Sequence, residues 1–156
     1  MQVKELMSKN VITVTRSTTL KALLTMFIKF HIFPLVPVVD EQGHLAGIVS
    51  FQNLLNVFRP YNPELLKAVP FLDEEGEDNI FHIDLTEEVG NLVLVEDIME
   101  QKIVSLREDM SIEEAFNLMK MHLKEEFPVV DKNNTLVGMI GVFDIIREVF
   151  HQKGVI

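Results

Sequence analysis

Two stretches of this 156-residue chain are versions of one another, and that repeat limits the fold more than any other feature. Val3 to Phe58 matches Val95 to Phe150. Early in the repeat, Val3, Met7, Thr13 and Leu20 correspond to Val95, Met99, Ser105 and Ile112, at an offset of 92. Later, Pro37, Asp40, Leu45 and Gly47 correspond to Pro128, Asp131, Leu136 and Gly138, at an offset of 91. The first copy therefore carries one extra residue between Phe30 and Pro37. A unit of about 56 residues buries too little apolar surface to stand alone. The two copies are therefore expected to pack through their sheets with pseudo-twofold symmetry.

Both copies show the same order of elements. A short amphipathic lead-in helix (VKELM, VEDIM) precedes a β-branched strand, Val11 to Val14 or Ile103 to Leu106. An amphipathic helix follows. Its apolar positions are Leu20, Leu23, Leu24, Phe27 and Ile28 in copy one, and Ile112, Ala115, Phe116, Met119 and Leu123 in copy two. Thr18 or Thr19, and Asp109 or Ser111, are suited to cap these helices. An apolar strand comes next (Leu35 to Val39; Phe127 to Val130), then a turn that tolerates positive φ, Asp-Glu-Gln-Gly or Asp-Lys-Asn-Asn. The strand after it (Leu45 to Val49; Leu136 to Ile140) holds Gly47 or Gly138, which signals close approach of backbone or ligand. A helix, Phe51 to Phe58 or Val142 to Phe150, closes each unit. The expectation is an α/β (α+β) fold of two β-α-β-β-α motifs: 1–58, then an acidic linker 59–94, then 95–156.

Charge and composition remove whole classes of function. Acids number 24 and bases 14, so the net charge is −10, which disfavours nucleic acid and anionic membrane surfaces as partners. There is no cysteine, hence no disulfide, thiolate metal site or cysteine nucleophile. No run approaches the roughly 18 apolar residues of a membrane span, and the N-terminus has no secretory signal pattern. A cytoplasmic location is expected. The five histidines are scattered without metal-ligand spacing, and neither a phosphate-binding glycine loop nor a hydrolase triad is present. No metal site and no enzymatic activity are expected.

The segments VKELMSKNVITV and FPLVPVVDEQGHLAGIVSFQNLL, with VEDIMEQKIVSL and EEFPVVDKNNTLVGMIGVFDII in the second copy, resemble a tandem pair of CBS domains, also called a Bateman module. The likeness covers about three quarters of the chain. It implies a regulatory or sensory module that binds AMP, ADP, ATP or S-adenosylmethionine in clefts between the motifs. It also implies a disc-like homodimer and no catalysis of its own. In ligand-binding members the third strand ends in Ser or Thr, with an Asp three residues later. The hydroxyl and the backbone amides of the helix start meet phosphate, and the carboxylate accepts both ribose hydroxyls.

Each copy departs from that pattern by one residue. Copy one has Ser50 and Asn53, so the hydroxyl is kept and the carboxylate is an amide. Copy two has Gly141 and Asp144, so the carboxylate is kept and the hydroxyl is lost. Asp144 is the stronger ribose acceptor, which ranks copy two slightly above copy one. Both residues also have a purely structural reading, Ser50 as an N-cap and Asp144 as an acid favoured by the helix dipole. The remaining cleft walls are expected from Ile103, Val104, Ser105, Glu126 and Phe127 in copy two. In copy one they are expected from Val11, Ile12, Thr13, Leu35 and Val36. Simple core packing is the competing reading, above all for Val11 and Val104. Glu125 and Glu126 would repel a polyphosphate, and Arg16, Arg107 and Lys124 are the nearby bases, which favours a monophosphate or a sulfonium ligand over a triphosphate.

The linker Arg59 to Leu94 carries nine acids and two bases, most of the net charge. Pro63 to Val69 and Thr86 to Val93 have the pattern of short helices. Its DEEGED run lacks calcium-loop spacing and reads as a solvated acidic loop or a surface for a basic partner. Two functions stay open. One is an adenosyl-ligand sensor that reports to an unidentified protein partner. The other is a protein-interaction module without a ligand, using the acidic linker. Phe58, Val149 and Phe150 are the apolar helix residues expected at a homodimer interface.

Overall fold

A computed structural model describes residues 1–58, 81 and 85–156. The elements in chain order are α1 (Val3–Leu6), α2 (Leu20–Met26), β1 (Val36–Val39), β2 (Leu45–Val49) and α3 (Phe51–Val57). They continue with α4 (Glu87–Leu92), α5 (Val95–Ile98), β3 (Leu106–Arg107) and α6 (Ile112–His122), then β4 (Glu126–Val130), β5 (Leu136–Gly141) and α7 (Val142–Gln152). The fold is mixed α/β with two small sheets, β1-β2 and β3-β4-β5. The expected linker helix over 63–69 and the DEEGED run lie outside the described residues. The helix expected over 86–93 is α4, entered from Thr86.

The chain folds into two compact units, and neither is one repeat alone. Unit 1 is Met1–Ile12, Glu41–Leu45 and Lys102–Ile156; unit 2 is Thr13–Asp40 and Ala46–Gln101. The lead-in helix of copy one therefore belongs with the sheet of copy two, and the lead-in helix of copy two with the sheet of copy one.

In unit 1, Val3 of α1 is fully buried with Leu106, Ala115, Met119, Phe127, Val129, Ile140 and Ile145. β3 runs parallel to β4, with Leu106 opposite Val129, and β4 runs antiparallel to β5, with Val129 opposite Gly138. The segment after α1 then lies along β5. Ser8 and Met139 exchange two backbone hydrogen bonds, Ser8 N–H to the Met139 carbonyl at 2.8 Å and Met139 N–H back at 2.9 Å. Gly138 is a glycine because of this strap. A Cβ there would stand 2.7 Å from Met7 Sδ and 2.8 Å from the Ser8 carbonyl oxygen. α6 starts at Ser111, whose hydroxyl accepts the Glu114 N–H while the Glu114 carboxylate accepts the Ser111 N–H.

Unit 2 repeats the construction. Val95 and Ile98 of α5 are buried with Val14, Leu20, Leu23, Phe27, Val36, Val38 and Val49. Glu100 and Ile48 exchange two backbone hydrogen bonds at 2.9 and 3.0 Å. A Cβ on Gly47 would stand 2.8 Å from Met99 Sδ and 3.1 Å from the Glu100 carbonyl oxygen. The close approach expected at both glycines is thus made by a lead-in methionine and the backbone after it. α2 is capped by Thr19, whose hydroxyl accepts the Ala22 N–H at 3.1 Å. Lys21 on α2 forms an ion pair with Glu87 on α4.

Several expectations change. The first strands shorten to a single parallel bridge between Val14 and Val38, and to Leu106–Arg107; Val11–Thr13 and Ile103–Ser105 pair with no strand. Leu24 and Ile28 are exposed, because the buried face of α2 follows Leu20, Leu23 and Phe27. Leu123 is 91% exposed: with φ 51° it ends α6 in the left-handed region and turns away from the core. Phe58 and Val149 pack against the cores of their own units. Phe150, the third residue expected at a homodimer interface, is exposed and shares one face of α7 with the exposed Phe143 and Ile146. The two hairpin turns follow the expected chemistry, with Gly43 at φ 82° and its counterpart Asn134 at φ 62°.

Candidate functional site

The corner where β5 enters α7 holds the copy-two candidates. Gly141 takes extended backbone angles, and its N–H donates to Asp144 Oδ2 at 2.8 Å. Val142 N–H donates to the Glu125 carbonyl at 2.9 Å, and Glu126 is in register with Gly141 across the β4–β5 ladder. The second oxygen of Asp144, Oδ1, accepts from Arg147 Nη2 at 2.9 Å. That guanidinium lies 5.5 Å from the centre of the Phe143 ring. The Asp144 side chain remains 29% exposed, and that of Arg147 51%. Asp144 is therefore a helix-start acceptor within reach of solvent.

The equivalent corner of copy one, between β2 and α3, has the same design in neutral groups. Ser50 N–H donates to Asn53 Oδ1 at 2.8 Å, and Ser50 Oγ donates to the same oxygen at 2.9 Å. The Ser50 hydroxyl is thus engaged by its neighbour. Copy one has Asn56 where copy two has Arg147, so this corner lacks the ion pair.

The other candidate residues are placed as follows. In unit 1, Val104 and Ser105 are half-buried, and Val104 packs on the core; Ile12 is 45% exposed. Phe127 is fully buried in that core, so its ring is not at the surface of the corner. In unit 2, Thr13 is half-buried and Val36 fully buried. The structure bonds Gly141 to Asp144 and Ser50 to Asn53.

Two cavities lie elsewhere. One of about 510 Å³ in unit 2 lies between α2 and α4, against Leu24, Ile28, Phe58 and Val89. An open groove of about 600 Å³ in unit 1 runs along α6, past Arg107, Glu114 and Met121. None of the candidate residues named above lines either one. Among the described residues no cluster of His, Asp or Glu is arranged to hold a metal ion, and no helix is long and apolar enough to cross a membrane. The residue that sequence reasoning missed is Arg147. Its signal was present as an Asp-x-x-Arg spacing, which puts both side chains on one helix face.

The CBS domain pattern matches residues 3–60 and 95–151. A CBS domain-containing protein of Dictyostelium discoideum is 33% identical over 144 residues, covering 92% of this chain and 88% of that protein. The inosine-5′-monophosphate dehydrogenase of Helicobacter pylori is 29% identical over 118 residues, which are 76% of this chain and only 18% of the dehydrogenase. Among solved structures, CBSX2 in complex with AMP superposes with a TM-score of 0.70 at 23% identity, covering 97% of this chain and 98% of that one. A CBS domain pair in complex with 5′-methylthioadenosine and S-adenosyl-L-methionine gives a TM-score of 0.64 at 23% identity, covering 97% and 98%. The cytosolic domain of the Mg²⁺ channel MgtE in complex with ATP gives 0.64 at 24% identity, covering 94% of this chain and 48% of that one. The pattern match over both repeats, with the 33% identical relative matched along nearly its whole length, places this chain in the CBS domain family.

Proposed function

We propose that this chain is a regulatory CBS-pair module that binds an adenosine-containing ligand at the copy-two corner and reports its binding to a protein partner. The observation that carries the reading is Asp144: a carboxylate at the β5–α7 corner, beside a glycine, and still reachable by solvent. Such a group can accept both hydroxyls of a ribose. The ligands in the CBS-pair structures, AMP, ATP and the 5′-methylthioadenosine and S-adenosylmethionine pair, support the class. A ligand acts as a signal only through different affinities for two arrangements of the module.

A second reading is a CBS pair without a ligand, acting through protein contacts. It is favoured by the hydrogen bonds that already engage the Ser50 hydroxyl and both oxygens of Asp144. The Phe143, Ile146 and Phe150 stripe supports a homodimer in either case.

A thermal-shift screen with AMP, ADP, ATP, S-adenosylmethionine and NAD separates the readings. A ligand bound to the folded state at a hundredfold excess over its Kd adds about 2.7 kcal/mol. The expected result is a shift that Asp144→Ala abolishes. A shift that survives this change moves the site to Ser50 and Asn53, and no shift with any compound favours the interaction module.

A further inference from the structure

The two oxygens of Asp144 are held by different kinds of partner. Oδ2 accepts a backbone N–H at the end of β5, a bond fixed by the strand-to-helix turn. Oδ1 accepts the guanidinium of Arg147, a long side chain about half exposed, resting near the Phe143 ring. A ribose diol that takes Oδ1 meets this cation. Two further acids, Glu125 and Glu126, and the base Lys124 precede or begin β4 at this corner. Glu126 is in register with Gly141, and Glu125 receives the first N–H of α7 on its carbonyl; both residues are exposed. Three acidic residues thus belong to this corner, and their like charge disfavours an anionic ligand unless a cation answers it. A guanidinium is charged at every working pH and binds carboxylate and phosphate in the same forked geometry.

Resting on the reading of Asp144 as the ribose acceptor, we propose that Arg147 sets the charge class of ligand that this corner accepts. In the free protein it covers Oδ1. When a ribose takes that oxygen, the guanidinium passes to a phosphate on the same ligand. The preferred ligand is then a nucleoside monophosphate. A neutral nucleoside takes the carboxylate and returns nothing to the arginine, so the ion pair is lost without replacement. Copy one has Asn53 and Asn56 at the equivalent positions, and this discrimination is therefore confined to copy two.

Calorimetric titration of AMP and of adenosine into the full chain tests the assignment, using the unaltered protein, Arg147→Gln and Asp144→Asn. The unaltered protein is expected to bind AMP about tenfold more tightly than adenosine. Arg147→Gln brings the ratio close to one, by weakening AMP while adenosine is unchanged or tightened. Because Arg147 is half exposed, circular dichroism of the variant should match that of the unaltered protein. If Arg147→Gln changes both ligands by the same factor while Asp144→Asn abolishes binding, the role of Arg147 is overturned and the ribose reading stands. If Asp144→Asn binds both ligands normally, or no form of the protein binds either ligand, the ribose reading falls and the role of Arg147 falls with it.

Discussion

The two units are built on one plan but hold different chemistry at the same place. In each, a lead-in methionine presses on a strand glycine, and the next residue exchanges two backbone hydrogen bonds with the strand. In each, the side chain three residues into the closing helix caps the strand-to-helix corner. The corner of unit 1 is ionic, with Asp144 and Arg147, whereas that of unit 2 is neutral, with Ser50 and Asn53. One backbone plan thus carries two different chemistries at its corner. Capping needs only an acceptor oxygen, so amide and carboxylate serve it equally. Recognition of a charged ligand depends on which of the two is present.

The comparison is tested hardest in the cores. Phe127 and Val36 are equivalent positions, and both are fully buried. Phe127→Ala should cost about 3–5 kcal/mol. Val36→Ala removes only two methyl groups and should cost about 2 kcal/mol. Urea unfolding measures both, and equal losses would mean that the core of unit 1 relaxes around the deletion. The straps come next. Gly138→Ala puts a methyl against a backbone oxygen at 2.8 Å, whereas Gly47→Ala meets the equivalent oxygen at 3.1 Å. The first should cost about 2–3 kcal/mol and the second about 1 kcal/mol, in the range known for overpacking. A larger loss for Gly47→Ala in the same unfolding experiment would reverse the ranking of the two straps.

The smallest effect is electrostatic. Asp131 in unit 1 is held below the ordinary carboxylate range chiefly by the Thr135 N–H, at 3.0 Å, with a second bond from Asn133 N–H at 2.8 Å. Glu87 in unit 2 is held low by its hydrogen bond and charge pairing with Lys21. Both folded values lie below the unfolded ones. The stability each adds is therefore complete above its unfolded value of about 4 and is lost as pH falls through the lower folded value. Added salt screens Lys21 from Glu87 but leaves the backbone bonds to Asp131 intact. Carboxyl NMR titration at low and high salt should show Glu87 returning toward its ordinary value while Asp131 stays low. Parallel movement of the two would count against this assignment of causes.

The repeat, the element order, both glycine contacts and the turn chemistry were legible because each follows from local residue type and spacing. The exchange of lead-in helices was not. Val3 and Val95 are interchangeable apolar residues on similar four-residue helices, and nothing in either sequence says which sheet it will cover. The first strands shrank for a related reason. β-branched residues favour extended backbone, but only Val14 and Leu106–Arg107 have a neighbouring strand to pair with. At the corners, sequence supplied Ser50, Asn53, Gly141 and Asp144 but not their bonds. Whether a carboxylate is open or already engaged depends on Arg147, a residue that looks like ordinary helix-surface charge until its partner is seen.

The exchanged straps also bear on how such a chain can arise. A polypeptide with a single repeat would possess a sheet and a lead-in that closes someone else's sheet. Two identical copies trading lead-ins would complete each other, as in a swapped dimer. Joining them end to end turns that mutual dependence into an internal one without changing a contact. Fusion then frees the two halves from having to be identical, and one corner can become ionic while the other stays neutral.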